Sequence, residues 1–460
     1  MIARNRTARR AGAAVLASLL VVAGVGRAAD TSDAGPASAA AAPVPAVLTL
    51  ADALALAARA QPSVAIARAN SDAAAARVDR ARAPLWPQLT GEAGYERTTA
   101  NFTSRPGSLP RSTSSGRSTT PTFDTFDYWS FDVRASQLLY DFGQTTGKRD
   151  AAEASLDAER ANERSTDVDV ARDVRNAYFA ARAALDLVTV ARDTLANQAR
   201  HLEQISAFVE VGTRPEIDLA QARTDHANAR VSLIEAENSW DTAKAELRRA
   251  IGITDDAPFE VGDDEMPPVD AEDASTDVLL ATAKATRPDL HTLAARLRSQ
   301  ELEVGSVRGG YAPTLKATST LSDAGTRIDD TTWNWDAGVA LSWPLFEGGA
   351  TRAAEREALA NVAVAQGELE TLEQQIRLEV EQARLGVRGA KSSIAAAGEV
   401  VVNAREQLRL AEGRYETGVG NVIELGDAEV ALSSARAQEV QARYRLASAR
   451  ADLLRALGRR

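Results

Sequence analysis

Residues 63–89 read SVAIARANSDAAAARVDRARAPLWPQL, and residues 289–315 read DLHTLAARLRSQELEVGSVRGGYAPTL. Both begin as an alanine- and arginine-rich helical pattern and end in a Pro-marked turn, with Pro62 answering Pro288 and Pro87 answering Pro313. The separation is about 226 residues, the mark of a duplicated unit. Further landmarks pair at about 206 residues. Tyr140-Asp-Phe-Gly answers Phe346-Glu-Gly-Gly, Val211-Gly-Thr-Arg-Pro-Glu-Ile-Asp-Leu answers Thr417-Gly-Val-Gly-Asn-Val-Ile-Glu-Leu, and Ala250-Ile-Gly answers Ala456-Leu-Gly. The first copy therefore holds roughly twenty extra residues, and the stretch 104–122, almost wholly Ser, Thr, Gly, Pro and Arg, reads as the surface loop that contains them.

The apolar positions Val387, Ala390, Ile394, Ala397, Val401, Ala404, Leu408, Ala411 and Tyr415 alternate in steps of three and four, which is a heptad seam. The first copy repeats it from Ala181 to Val209 with one polar interruption at Gln198. No Pro lies between Tyr140 and Gly212 or between Phe346 and Gly418, so the spacing predicts long helices over 141–211 and 347–417, each on the order of 100 Å. Gly-rich turns then send shorter helices back over 216–251 and 422–457. Residues 50–83 and 278–307 have the length to stack on those returning helices and complete the match.

Between the short and long helices lie two aromatic regions. Trp129, Phe131, Val133 and Ala135 alternate with Ser130, Asp132, Arg134 and Ser136; Trp335, Ala337, Val339, Leu341 and Trp343 alternate with Asn334, Asp336, Gly338, Ala340 and Ser342. A two-residue period with one apolar face marks strands. Strand pairs are expected at about 88–140 and 314–344. Trp129, Phe131, Trp333, Trp335 and Trp343 are the residues expected at a lipid interface, as in the aromatic girdles of outer-membrane strands. The helices already bury their seams on one another, so this apolar face is left for lipid. Four strands cannot close in lipid, and about eight would be filled by their own side chains. A hollow structure needs about twelve strands and hence three copies.

The N-terminus carries Arg4, Arg6, Arg9 and Arg10, an apolar run at 11–24 and a small-residue site at 26–28, the pattern of a secretory signal cleaved after Ala28. Losing five Arg would take the formal charge from -11 to about -16, which disfavours nucleic acid as a partner. The Ala/Pro-rich stretch 29–47 reads as a flexible leader. The remaining organisation is a first repeat at 48–252, an inter-repeat linker at 253–276 and a second repeat at 277–460. With no cysteine there are no disulfides, thiolate metal sites or Cys nucleophile. His201, His226 and His291 are scattered over helical segments without ligand spacing and read as exposed helical residues. Gly143-x-x-x-Gly147-Lys148 is too short for a phosphate loop and reads as a strand-to-helix turn. Neither a catalytic constellation, a metal site nor a cofactor is expected.

Together these features resemble the TolC family of outer-membrane channels. The most specific parts are Leu341-Ser-Trp-Pro-Leu-Phe-Glu-Gly-Gly and Tyr415-Glu-Thr-Gly with Ile423-Glu-Leu-Gly-Asp427-Ala. The resemblance implies an α+β membrane protein: an antiparallel coiled-coil helical barrel reaching through the periplasm, with four transmembrane strands per chain that close as a twelve-stranded barrel in a homotrimer. It implies an exit duct of an efflux pump or type I secretion system, without chemistry of its own. The partners implied are a periplasmic adaptor, an inner-membrane RND or ABC pump, and outer-membrane lipid. Glu424 and Asp427 match the two acidic residues that ring the family's periplasmic constriction. Asn421-x-x-Glu424 also reads as a helix cap, as does Thr213-x-x-Glu216. Tyr415 matches the family's closing tyrosine. The arginine found five residues later in some members is Gly420 here, while the first copy offers Arg214 and Asp218, so these three are the latch candidates. The alternative is a trimeric coiled-coil surface or adaptor protein without a pore.

Overall fold

The computed structural model describes residues 45–99, 123–254 and 258–460. The expected signal at 1–28, all but the end of the leader at 29–47 and the loop at 104–122 lie outside the described residues. In chain order the elements are β1 (Val47–Leu48), α1 (Leu50–Ala60), α2 (Pro62–Arg82), β2 (Gln88–Thr99), β3 (Thr125–Tyr140), α3 (Gln144–Glu210) and α4 (Glu216–Ile251), then β4 (Glu260–Val261), α5 (Thr276–Thr286), α6 (Pro288–Gly309), β5 (Thr314–Arg327), β6 (Asp330–Ser342), α7 (Ala350–Glu416) and α8 (Val422–Ala456). The chain is mostly helical, with one four-stranded antiparallel sheet and a two-residue parallel pairing of β1 with β4.

The long helices α3 and α7 have 67 residues each. Each starts at a glycine in the left-handed region, Gly143 (φ 91) and Gly349 (φ 88). Only glycine adopts that conformation without strain, so the chain turns sharply from strand into helix there. The Asp141 carboxylate accepts the Thr145 N–H at 2.7 Å and satisfies one donor of the first turn. Gly147 matters for packing instead. A Cβ there would stand 2.9 Å from the Ser306 Cβ, so its absence lets α6 cross against α3. Along α7 the seam from Val387 to Tyr415 is buried except at half-buried Ile394. Leu425, Ala428, Leu432 and Ala435 of α8 close over its lower end, each large aliphatic contributing about 1.5–3 kcal/mol.

The short segments differ from the single helices expected. Residues 50–83 and 278–307 are each broken in two, at Gln61 (ψ 120) and Arg287 (ψ 121). The residue before a proline is driven out of the helical region, and Pro62 and Pro288 follow these positions. Each break becomes an anchor. The Gln61 side chain donates to the Ala250 carbonyl at 2.9 Å, and buried Arg287 reaches Glu379 at 2.7 Å and Asp289 at 2.5 Å. The ends meet the returning helices as expected, Thr286 donating to the Leu457 carbonyl at 2.5 Å, and the second segment makes further contacts. Ser299 and Ser306 of α6 donate to the Ala151 and Gln144 carbonyls of α3 at 2.8 and 2.9 Å, while Arg308 pairs with Glu355 of α7 at 2.8 Å. The short helix of the second half thus bridges both long helices.

The sheet order is β2-β3-β5-β6, with β3 and β5 inside and β2 and β6 as open edges. The strands span 12 to 16 residues, more than the 9–11 or so that a tilted strand needs to cross a bilayer. Residue 47 of the expected leader lies in β1, and the expected linker holds β4. Tyr178 of α3 pins this belt by donating to Asp264 at 2.5 Å.

Candidate functional site

The sheet register sorts its side chains onto two faces. Ladder partners share a face, so Trp129↔Tyr95 and Gly325, Phe131↔Ala93 and Asp323, Asp323↔Trp333, Val133↔Leu321 and Leu321↔Trp335 form continuous rows. All four strand aromatics singled out from sequence, Trp129, Phe131, Trp333 and Trp335, therefore stand on one face. Trp333 and Trp335 are 68% and 61% exposed, and the Trp335 indole N–H donates to the Ser319 hydroxyl at 3.0 Å. The other face carries Glu92, Asp132, Arg134, Lys316, Asp336 and many Ser and Thr. Trp343 lies just past β6, where its indole N–H donates to the Tyr311 carbonyl at 3.1 Å. From Trp333 to Trp343 is about 33 Å along a strand. At a tilt of about 45° this spans about 23 Å, close to the apolar band of an outer-membrane barrel. Val339 and Leu341 lie between them on the apolar face.

At the opposite end of the long helices, the turns at 211–215 and 417–421 bring four helix ends together. One apolar cluster joins Ile205 and Ala222 of the first hairpin to Leu408, Ala411, Tyr415 and Leu425 of the second. Here the structure gathers the three latch candidates. The Arg214 guanidinium lies 4.4 Å above the Tyr415 ring and donates to the Tyr415 carbonyl at 3.0 Å. Asp218 is buried beside them. Burial pushes the Tyr415 phenol above its ordinary range, Arg214 pulls it back, and the Asp218 charge adds to the rise. The Tyr415 hydroxyl has no hydrogen-bond partner among the described residues.

Of the two acidic candidates, Glu424 is engaged twice. Its N–H is capped by the Asn421 side chain at 2.8 Å, and its carboxylate meets Arg414 Nε at 3.0 Å. Arg414 was missed in the sequence because it belongs to the seam helix rather than the turn motif. Asp427 is exposed and has no ion pair among the described residues. The matching cap at Thr213 does not form. Pro215 occupies the cap position of α4, and the Thr213 hydroxyl turns back to the Phe208 carbonyl at 2.8 Å. A second correction concerns His201, whose side chain is only 17% exposed and lies 2.6 Å from buried Glu429. Gln198, the polar interruption of the first seam, donates to the same carboxylate.

A family model described as outer membrane efflux protein matches residues 53–253 and 279–459. Outer membrane protein TolC of Escherichia coli (strain K12) is 26% identical over 303 residues, 61% of this chain and 60% of that protein. The outer membrane efflux protein BepC of Brucella suis is 23% identical over 350 residues, 75% of each chain. Among solved structures, the Campylobacter jejuni CmeC outer membrane channel superposes with a TM-score of 0.77 at 17% identity, covering 89% of this chain and 85% of that one. That likeness establishes the fold.

Proposed function

The chain belongs to the outer membrane efflux protein family, and we propose that three copies assemble into an outer-membrane exit duct that passively conducts cargo handed to it from the periplasmic side. The observation that carries this reading is the sheet: one face is dominated by apolar and aromatic residues, the other is polar, and both edges are open. Lipid tolerates no unpaired edge, so β6 of one copy pairs with β2 of the next. Twelve strands, four from each copy, leave a lumen into which Glu92, Asp132 and Asp336 project. Below the barrel the paired hairpins line the continuing tunnel, each copy contributing two similar halves that descend from an internal duplication.

At the far tip, Glu424 and Asp427 of the three copies ring the constriction. Arg414 screens Glu424, so Asp427 dominates the field on the axis. Arg214 clamped on Tyr415 ties the first hairpin to the second and holds the tip closed. A periplasmic adaptor packs on the tip, and an inner-membrane pump of the RND or ABC type supplies the energy and selects the cargo.

Planar-bilayer recording of the purified protein, with its mass measured in detergent, tests this. A trimer with small cation-selective openings is expected, and a monomer that never inserts overturns it. Asp427→Asn is expected to relieve most of the block by divalent cations and Glu424→Gln much less. Unchanged block in the double variant removes the carboxylates from the constriction.

A further inference from the structure

The seams of the helical region are of two kinds. Within the α7/α8 hairpin the contact is mainly apolar, with ion pairs only at Arg455–Glu379 and Arg414–Glu424 among the described residues. Where α3 meets α8, joining the two halves of the chain, apolar contacts such as Ile205 in the tip cluster are interleaved with a run of polar pairs: Asp169 to Arg455 at 3.0 Å, Asn176 to Ser448 at 3.0 Å, Asp193 to Arg436 at 3.3 Å and Thr194 to Ser433 at 3.1 Å. The last stitch before the tip is Gln198 and His201 on Glu429. It is the most buried of the series, Gln198 and Glu429 being each 8% exposed. An apolar seam separates only at the cost of its whole area, whereas a polar one exchanges partners with water and is the natural joint between two rigid hairpins.

The geometry points to an acid-strengthened clasp, in which protonated His201 holds the Glu429 carboxylate and so locks α8 to α3 about half a turn from Asp427. A buried carboxylate needs a cation or several donors to remain charged. Glu429 has one amide donor in Gln198, and the imidazolium supplies the charge. The charged and titratable surroundings agree: Glu412 acts on the imidazole from α7, and Gln204 lies on its own helix. The Glu429 contact raises the proton affinity of His201, burial opposes it, and Glu412 adds to the rise. A raised histidine contributes fully below its ordinary value of about 6.5 and loses its contribution as pH climbs through the raised one. The clasp is therefore tight in mild acid and slack in alkali. That slackening favours an open tip rests on the channel reading; the clasp itself does not.

The chain has no cysteine, so spin labels at Ala199→Cys and Val430→Cys, both exposed positions of the two helices, report their separation directly in lipid. Between about pH 6 and about pH 9, a range that brackets the ordinary histidine value, the distance distribution is expected to lengthen and broaden in the otherwise unchanged protein. In His201→Gln it is expected to be the same at both ends of the range. A distribution that ignores pH in the parent, or a pH dependence that survives His201→Gln, overturns the clasp. Bilayer recording separates the two readings: a labelled protein that shows the distance change but no conductance leaves the clasp standing and removes the channel.

Discussion

Glu272 is 7% exposed, held by Arg450 through two hydrogen bonds at 3.0 Å, by Lys391 at 2.7 Å and by the Val269 N–H at 3.0 Å. Burial alone would raise its carboxyl, but these donors overcome it and hold the group down at about 2. A depressed carboxylate contributes stability above the ordinary value near 4.3 and loses it as pH falls towards the folded one. Glu272→Gln is thus expected to lower stability near neutrality by about 3 kcal/mol, with the difference from the parent closing below about pH 4. Acid and thermal denaturation followed by circular dichroism checks both limbs. At Gly252 (φ 84) an added Cβ would stand 2.7 Å from the Gln61 Cα and 2.8 Å from the Ala60 carbonyl oxygen. Gly252→Ala is expected to cost at least about 1–3 kcal/mol in the same assay. At this scale the sequence was partly legible. The Asn421 cap could be read because its pattern is local, but the His201–Glu429 pair could not, since its members are far apart in the chain and meet only through the packing of α3 on α8.

The alternation of strand residues needs no knowledge of partners, which is why Trp129, Phe131, Trp333 and Trp335 could be assigned to one face before any register was known. The same face makes a test for the strands. Val133→Arg is expected to destabilise the lipid-inserted barrel by about 2–4 kcal/mol, and Asp132→Arg on the opposite face by much less. Urea unfolding from lipid vesicles distinguishes them, and equal effects would mean that neither face contacts lipid. The helices were less legible. The heptad seam identified the long ones, yet the breaks at Gln61 and Arg287 went unread although Pro62 and Pro288 were in plain view. Their rule acts on the preceding residue, and a periodicity scan passes over it. For α8, Asn421→Ala removes the 2.8 Å cap on the Glu424 N–H and is expected to cost about 1 kcal/mol in thermal unfolding.

In the whole molecule, the two 67-residue helices act as matched struts. Removing one heptad from α3 alone would shift its tip by about 10 Å against α7 and pull Ile205 away from Leu408 and Tyr415. That variant is expected to lose the tip cluster and stay permanently conductive in bilayer recording. Matched deletions from both hairpins should keep the closed tip and lose only reach. The repeat offsets in the sequence made the equal lengths visible; the way α6 spans both long helices was hidden, because a repeat pattern says what is copied and not where the copies touch.

The open edges of the sheet have a consequence for how the protein is made. A newly exported chain carries two unpaired strands of 12 and 13 residues, the kind of edge that templates aggregation with any neighbour. The helical hairpins are built from contacts close in sequence and form quickly, whereas pairing β3 with β5 closes a loop of roughly two hundred residues and is slow. If the proposed trimer forms, biogenesis should therefore run from the tip upwards, with helical hairpins gathering the copies before any strand commits to its ladder. Concentration in the periplasm, rather than the stability of the single chain, then sets the yield of finished channels.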